Sequence, residues 1–264
     1  MLLSIILIFV FLFGLIIGSF LNCLIWRLHK NESLLGRSYC PKCQKQIAWY
    51  DNLPVLSFLI LKGKCRQCGK PISWQYPAVE LATGILFVMA VFYNFQFSIF
   101  NFQIIFNFQF SMKILRDFFL IAVMIVIFIY DLRWYLILDV ITLPAGLVML
   151  VFNLILGFSL WSLLVSGIIG GSFFFIQFLV SRGRWIGGGD IRLGLLMGLS
   201  LGWPGVLTAI IIAYFIGSVI GLSLIALGKK RWGSEVPLGV FLSVGVIITL
   251  FWGATILNWY FKIF

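Results

Sequence analysis

Residues 2–26, LLSIILIFVFLFGLIIGSFLNCLIW, contain no charged side chain. A run of that length satisfies the roughly 20 apolar residues a helix needs to cross hydrocarbon. It is too long for a signal-peptide core and lacks a basic start, so it reads as a retained membrane helix. Comparable tracts recur at 77–93, 114–130, 137–156, 160–180, 205–228 and 237–260, with a shorter one at 191–202. Lipid offers no partners to backbone N–H and C=O groups, so a chain built this way satisfies them inside helices. The predicted fold class is therefore an all-α polytopic membrane protein with about eight membrane segments. Composition agrees: 62% of residues are hydrophobic and only 10% charged, with mean hydropathy +1.12. The sixth tract is too short to cross alone and is expected to be a half-helix whose free end is covered by protein or a wet cavity.

The 19 Lys and Arg set the orientation. If the first segment runs from outside to inside, sixteen of them fall in inside loops, between Arg27 and Lys70, at Arg133, at Arg182, Arg184 and Arg192, and at Lys229, Lys230 and Arg231. Only Lys113, Arg116 and Lys262 remain outside. Basic loops are retained in the cytoplasm, so both termini are expected outside and the polar insert of residues 27–76 inside. The net charge of +11 follows from this bias. No basic face interleaved with aromatics stands outside the membrane segments, so nucleic acid is not expected as a partner. The repeated Asn-Phe-Gln at 94, 101 and 107, within Tyr93–Ser111, suits the headgroup zone and carries no chemistry.

The insert, a small cytoplasmic region between helices one and two, is too small to bury a large core unaided and needs a staple. Cys40 and Cys43 form one C-x-x-C pair, and Cys65 and Cys68 a second. Two such knuckles present four thiolates for a tetrahedral, structural zinc ion, with Gly69 easing the second turn. Two disulfides are the competing arrangement, disfavoured by the reducing side on which the charge bias places the loop. Redox catalysis ranks below both. Cys23, inside the first tract, is a small packing residue.

The acidic residues can be taken whole: Glu32, Asp51, Glu80, Asp117, Asp131, Asp139, Asp190 and Glu235. Glu80 opens the second helix, where an acid is favourable. Asp131, Asp139 and Asp190 all fall at inner membrane ends, and ionisable groups there are functional candidates by default. Asp139 could simply cap the fourth helix. Asp190 precedes a helix too, yet Gly187, Gly188 and Gly189 before it exceed what a cap requires and leave the backbone bare for another chain to approach. Asp131 ends the third helix, where the macrodipole disfavours an anion. The expectation is thus of two carboxylates in opposite electrostatic settings, suited to acid–base hydrolysis. The single histidine, His29, lies in the basic loop, which leaves neither a Ser-His-Asp triad nor a histidine metal site in the membrane.

Taken together, GSFLNCLIWRL, CPKC, CRQCG, YPAVELATG, IYDLRWYLILDVITLP and GGGDIRLG resemble the type IV prepilin leader peptidases, and the likeness covers nearly the whole chain. The G-x-G-D element alone is also similar to presenilin-type proteases. The resemblance implies a bifunctional enzyme of the bacterial inner membrane. It would cut the leader from prepilins or pseudopilins on the cytoplasmic side, between Gly and Phe. It would then N-methylate the new amino terminus from S-adenosylmethionine, a function associated with the zinc-bearing insert. By motif, the catalytic aspartates are Asp131 and Asp190, and Glu80 belongs to the methyltransferase side. The implied organisation is a first transmembrane helix (1–26), the four-cysteine zinc insert (27–76) and an aspartic peptidase core (77–264). Two departures, Leu138 where the family commonly has Pro and LGVF at Leu238–Phe241 where it has Phe-Gly-Pro, are expected to stand clear of the aspartates. The competing functions are a peptidase without methyl transfer, and a non-enzymatic membrane scaffold or carrier with a zinc-stabilised loop.

Overall fold

The computed structural model describes residues 2–96, 108–231 and 236–263. Most of the Asn-Phe-Gln stretch, and Glu235, lie outside the described residues. Among those described, nine α-helices follow in chain order: α1 (Leu2–Lys30), α2 (Leu56–Ile60), α3 (Gln75–Gln96), α4 (Phe108–Trp134), α5 (Asp139–Ile155), α6 (Leu160–Ser181), α7 (Gly188–Leu201), α8 (Gly205–Ala226) and α9 (Leu238–Ile263). A single 3-10 turn, Trp49–Asn52, precedes α2. Every apolar tract becomes a helix. Five of them, α1, α3, α6, α8 and α9, are long and apolar enough to cross a membrane, so this is a multi-pass architecture. Lys113, Arg116, Asp117, Asp131 and Arg133 bracket a shorter apolar stretch inside α4.

The chain forms two compact units, residues 1–100 and 101–264. In the first, α1 and α3 pack as a hairpin. Gly14 and Gly18 on α1 allow it: a Cβ at Gly14 would stand 2.6 Å from Gly84 Cα, and one at Gly18 2.7 Å from Glu80 Cα. Such small-residue seams let membrane helices meet backbone to backbone. The neck of the insert is closed by Asn22, which donates to Tyr76 O at 3.1 Å and accepts from Gln75 Nε2 at 3.1 Å. Arg27, buried at the inner end of α1, gathers the following loop by donating to the carbonyls of Ser33, Gly36 and Arg37.

In the second unit α7 packs against α5, α6, α8 and α9. It has 14 residues, about 21 Å at 1.5 Å per residue, against a hydrocarbon thickness near 30 Å. Its apolar residues Leu193, Leu196 and Met197 are buried among Met124, Ile127, Met149, Phe174, Val206, Leu242 and Val246. The opposite face, with Arg192 and Leu195, is exposed. The α6–α7 seam is the tightest in the unit: a Cβ at Gly170 would lie 2.2 Å from Gly194 O, and one at Gly198 2.1 Å from Ser166 O.

Candidate active site and cysteine cluster

Asp131 occupies the last turn of α4 and is buried. Its position near a helix C-terminus is unfavourable for an anion, as the sequence suggests, but the structure supplies a remedy from far away. Asp131 Oδ2 accepts the backbone N–H of Val240 at 3.1 Å, and the Gly239 N–H faces it as well. These are the orphan donors of the first turn of α9, the end of a helix that carries partial positive charge. Asp190 is treated the same way by its own helix. It stands at the third position of α7, its Oδ2 accepts the Gly187 N–H at 2.9 Å, and its own N–H returns to Gly187 O at 3.2 Å.

Both carboxylates are therefore received by helix N-termini, and the expected contrast between an anion-favouring and an anion-disfavouring setting does not hold. The two are close enough to act on each other electrostatically. The departure at Leu238–Phe241, expected to stand clear of the aspartates, turns out to contain Asp131's partners. Gly239 is needed there, since a Cβ would meet Asp131 Oδ2 at 2.9 Å. One loop residue, Ile137, abuts both halves of the site. A Cβ on Gly189 would lie 2.8 Å from Ile137 Cβ, and a Cβ on Gly239 3.0 Å from Ile137 Cδ1. Ile137, Gly239 and Val240 carry no signal of their own in the sequence, beyond Pro237-Leu238-Gly239 standing where a helix begins after a polar loop.

The three glycines before Asp190 divide their work. Gly187 provides the N–H for the carboxylate, Gly189 is approached by Ile137 of the same chain, and Gly188 faces open space. Asp139 is the first residue of α5, with Leu138 as its cap, and its carboxylate pairs with Arg192 of α7 at an exposed position. It is separate from the buried pair.

In the first unit, Sγ atoms of Cys40, Cys43, Cys65 and Cys68 all lie within 4.8 Å of one another. All five cysteines are free thiols. The two knuckles repeat one pattern: Cys40 N–H donates to Lys45 O at 3.0 Å and Gln44 N–H to Cys40 O at 2.8 Å, while Cys65 N–H donates to Lys70 O at 2.9 Å and Gly69 N–H to Cys65 O at 2.9 Å. The fourth residue after each leading cysteine is left-handed, Gln44 at φ 57° and Gly69 at φ 65°. Backbone N–H groups of Cys68 and Gln67 draw the Cys65 thiol down to about 7. Zn–S bonds of about 2.3 Å place tetrahedral sulfurs roughly 3.8 Å apart, so these four fit a structural metal with little contraction.

Glu80 lies beyond the first turn of α3, so the helix dipole is not what accommodates it. It is buried, and its Oε2 accepts the Val55 N–H at 2.8 Å, with the Ser19 hydroxyl as a further partner. Val55 is held at φ 61°, a costly conformation for a β-branched residue. Glu80 is thus the strut that fixes the loop before α2.

Residues 12–95 match the bacterial peptidase A24 N-terminal domain, and residues 118–222 match the type IV leader peptidase family. A protein of Aeromonas hydrophila named prepilin leader peptidase/N-methyltransferase is 31% identical, over 95% of this chain and 92% of its own length. The chain belongs to the type IV leader peptidase family. Proteins of the same name from Legionella pneumophila (29% identical, 94% of this chain and 92% of theirs) and Bacillus subtilis (29%, 96% and 96%) are similar over nearly their whole length. No solved structure matches the chain. The two family matches fall one in each compact unit, the first around the cysteine cluster and the second across both aspartates.

Proposed function

We propose that this chain removes the leader from type IV prepilins or pseudopilins, at a Gly-Phe junction, and N-methylates the exposed amino terminus. The observation that carries the peptidase half is the meeting of Asp131 and Asp190 in one buried site with a backbone donor on each. Two such carboxylates titrate as a pair. With one proton between them, one carboxylate takes a proton from the attacking water while the other donates a hydrogen bond to the scissile carbonyl. Asp131 ends its own helix but, like Asp190, accepts a backbone N–H from a helix start, so neither is marked by its surroundings as the base. Gly188, which faces open space beside Asp190, is where an extended substrate backbone can approach.

The chain crosses the bacterial inner membrane through eight segments, α7 entering as a half-helix, with lipid as its solvent. The insert and the active site face the cytoplasm, the side that the basic loops favour. Functionally, residues 1–26 are the first transmembrane helix, 27–76 the metal-binding insert that serves methyl transfer, and 77–264 the peptidase core. The compact units divide near residue 100 instead, so α3 belongs physically with α1. Zinc held by Cys40, Cys43, Cys65 and Cys68 would be structural, since four thiolates close its coordination sphere. S-adenosylmethionine would supply the electrophilic methyl group on this side. Glu80 supports this side by holding Val55 in place.

Co-expression with a prepilin tests the proposal. Asp131→Asn and Asp190→Asn should each leave the leader attached, and normal processing by either variant refutes the peptidase assignment. Mass spectrometry of the mature product's first residue should show one added methyl group.

A further inference from the structure

The second unit buries a charged cluster that the proposed chemistry does not use. Arg116 and Asp117 on α4 and Asn153 on α5 are all nine-tenths or more buried. Arg116 donates through Nε and Nη2 to Asp117 Oδ1 at 2.9 and 2.6 Å, and through Nη1 to Asn153 Oδ1 at 3.2 Å. Asn153 Nδ2 then donates to Leu199 O at 2.7 Å and Ser200 O at 3.1 Å, two of the last carbonyls of α7. Only this orientation of the amide satisfies both neighbours, because Arg116 has no acceptor and the carbonyls have no donor.

The target of this chain of bonds matters. The last turn of a helix leaves its carbonyls without intrahelical donors, and Leu199 and Ser200 of α7 are buried. Gly202 N–H caps Gly198 O at 2.9 Å, and Asn153 takes the next two. The Arg116 charge stands behind Asn153, at the helix end where a cation is favourable. Along the α6–α7 seam Phe174 packs on Gly194 and Leu199 on Gly167, contacts that are apolar and carry no directional bond. Asn153 adds the hydrogen bonds that tie the far end of α7 to α5. Asp190 lies ten residues from Ser200 along the same rigid rod, about 15 Å away.

We propose that Asn153, backed by the Arg116–Asp117 pair, is a positioning residue that locks the axial register of α7 and so sets where Asp190 stands relative to Asp131. This rests on the reading of Asp190 as catalytic. The experiment uses the full-length enzyme in proteoliposomes with a prepilin, and measures kcat and KM for cleavage beside methyl transfer to an already cleaved pilin. Asn153→Leu removes every bond. Asn153→Asp keeps the acceptor for Arg116 but loses both donors to α7. Each should lower kcat for cleavage about tenfold, with KM within about twofold, since sub-ångström errors in a reacting group are costly. Methyl transfer should be unchanged. Unchanged kcat in both variants overturns the proposal. A parallel fall in cleavage, methyl transfer and membrane accumulation also overturns it, in favour of a general folding role. If Asn153→Leu does not accumulate, Asn153→Asp alone decides. Asp190→Asn run alongside separates the two ideas: cleavage by that variant refutes the catalytic reading, whereas its inactivity beside fully active Asn153 variants refutes only the register lock.

Discussion

Asp131 and Val240 stand 109 positions apart and are joined by one hydrogen bond of 3.1 Å, from the Val240 backbone N–H to the Asp131 carboxylate. The bond ties the end of α4 to the start of α9 and gives a buried anion the donors that its own helix lacks. Asp190 meets the same need within four residues, through Gly187. One solution, a carboxylate on the free N–H groups of a helix start, thus serves both halves of the candidate active site.

The carboxylates should be indispensable and separable from methyl transfer. Asp131→Asn or Asp190→Asn is expected to lower leader cleavage by at least about a thousandfold, within the range set by general acid–base groups. Methyl transfer to a pre-cleaved pilin should persist. Paired gel-mobility and methyl-incorporation assays on one preparation give both readings.

Gly239 should tolerate no side chain. The Cβ of Gly239→Ala would meet Asp131 Oδ2 at 2.9 Å and Ile137 Cδ1 at 3.0 Å, so α9 or the carboxylate must shift. A loss of cleavage of about tenfold or more is expected from so small a displacement. Gly221→Ala on α8, where a Cβ meets nothing within 4 Å, is the matched control and should retain activity.

The α6–α7 seam offers a stability test. Gly194→Ala places a methyl group 2.4 Å from Gly170 O, a backbone atom that cannot swing aside. Overpacking of this kind costs about 1–3 kcal/mol, visible as a lower thermal midpoint of the detergent-solubilised protein. An unchanged midpoint would mean that the two helices separate more readily than the seam implies.

Metal removal should act on the first unit. Cys65→Ser combined with Cys68→Ser, or treatment with a strong chelator, is expected to open residues 37–72 to proteolysis and to abolish methylation. Structural zinc supplies folding free energy directly. Cleavage by the Asp131–Asp190 site should continue, and loss of both activities together would contradict that division.

The same unit carries a pH signature. Arg66 grips Asp51 through two bonds, at 2.7 and 2.8 Å, and holds its carboxyl below the usual carboxylate range. A carboxyl depressed by folding stabilises the fold above its unfolded value, about 3.9, and that contribution fades as pH falls through the folded value. Arg66→Gln should therefore be more readily nicked than the parent by the same margin at pH 7 and pH 5. The margin should close only below about pH 4. The guanidinium is about half exposed, so the margin should be small and should shrink with added salt.

The fold is largely legible in the sequence because membrane helices announce themselves locally. Each apolar tract becomes a helix, and the short tract at 191–202 is α7, which sends Leu193, Leu196 and Met197 into the core. The thiol cluster is equally legible, since each knuckle is written in four consecutive residues. The partners are not. Val240 for Asp131, Val55 for Glu80 and Asn153 for Leu199 lie 109, 25 and 46 positions away, beyond the reach of any helical period. For the same reason Arg116 and Asp117, which read as outer flanking charges, prove to be buried. A backbone donor leaves no trace in residue type, so the similar settings of the two aspartates could not be foreseen.

The clasp of Asn22 with Gln75 and Tyr76 shuts the neck of the first loop without enlisting a single thiol. For the lipid-embedded hairpin, whatever hangs beyond that clasp is cargo. It can be exchanged or grafted from another chain while the two crossings keep their alignment, provided the graft supplies the backbone N–H that Glu80 takes from Val55. The natural cut points for building such chimaeras lie just after Asn22's own turn on one side and just before Gln75 on the other.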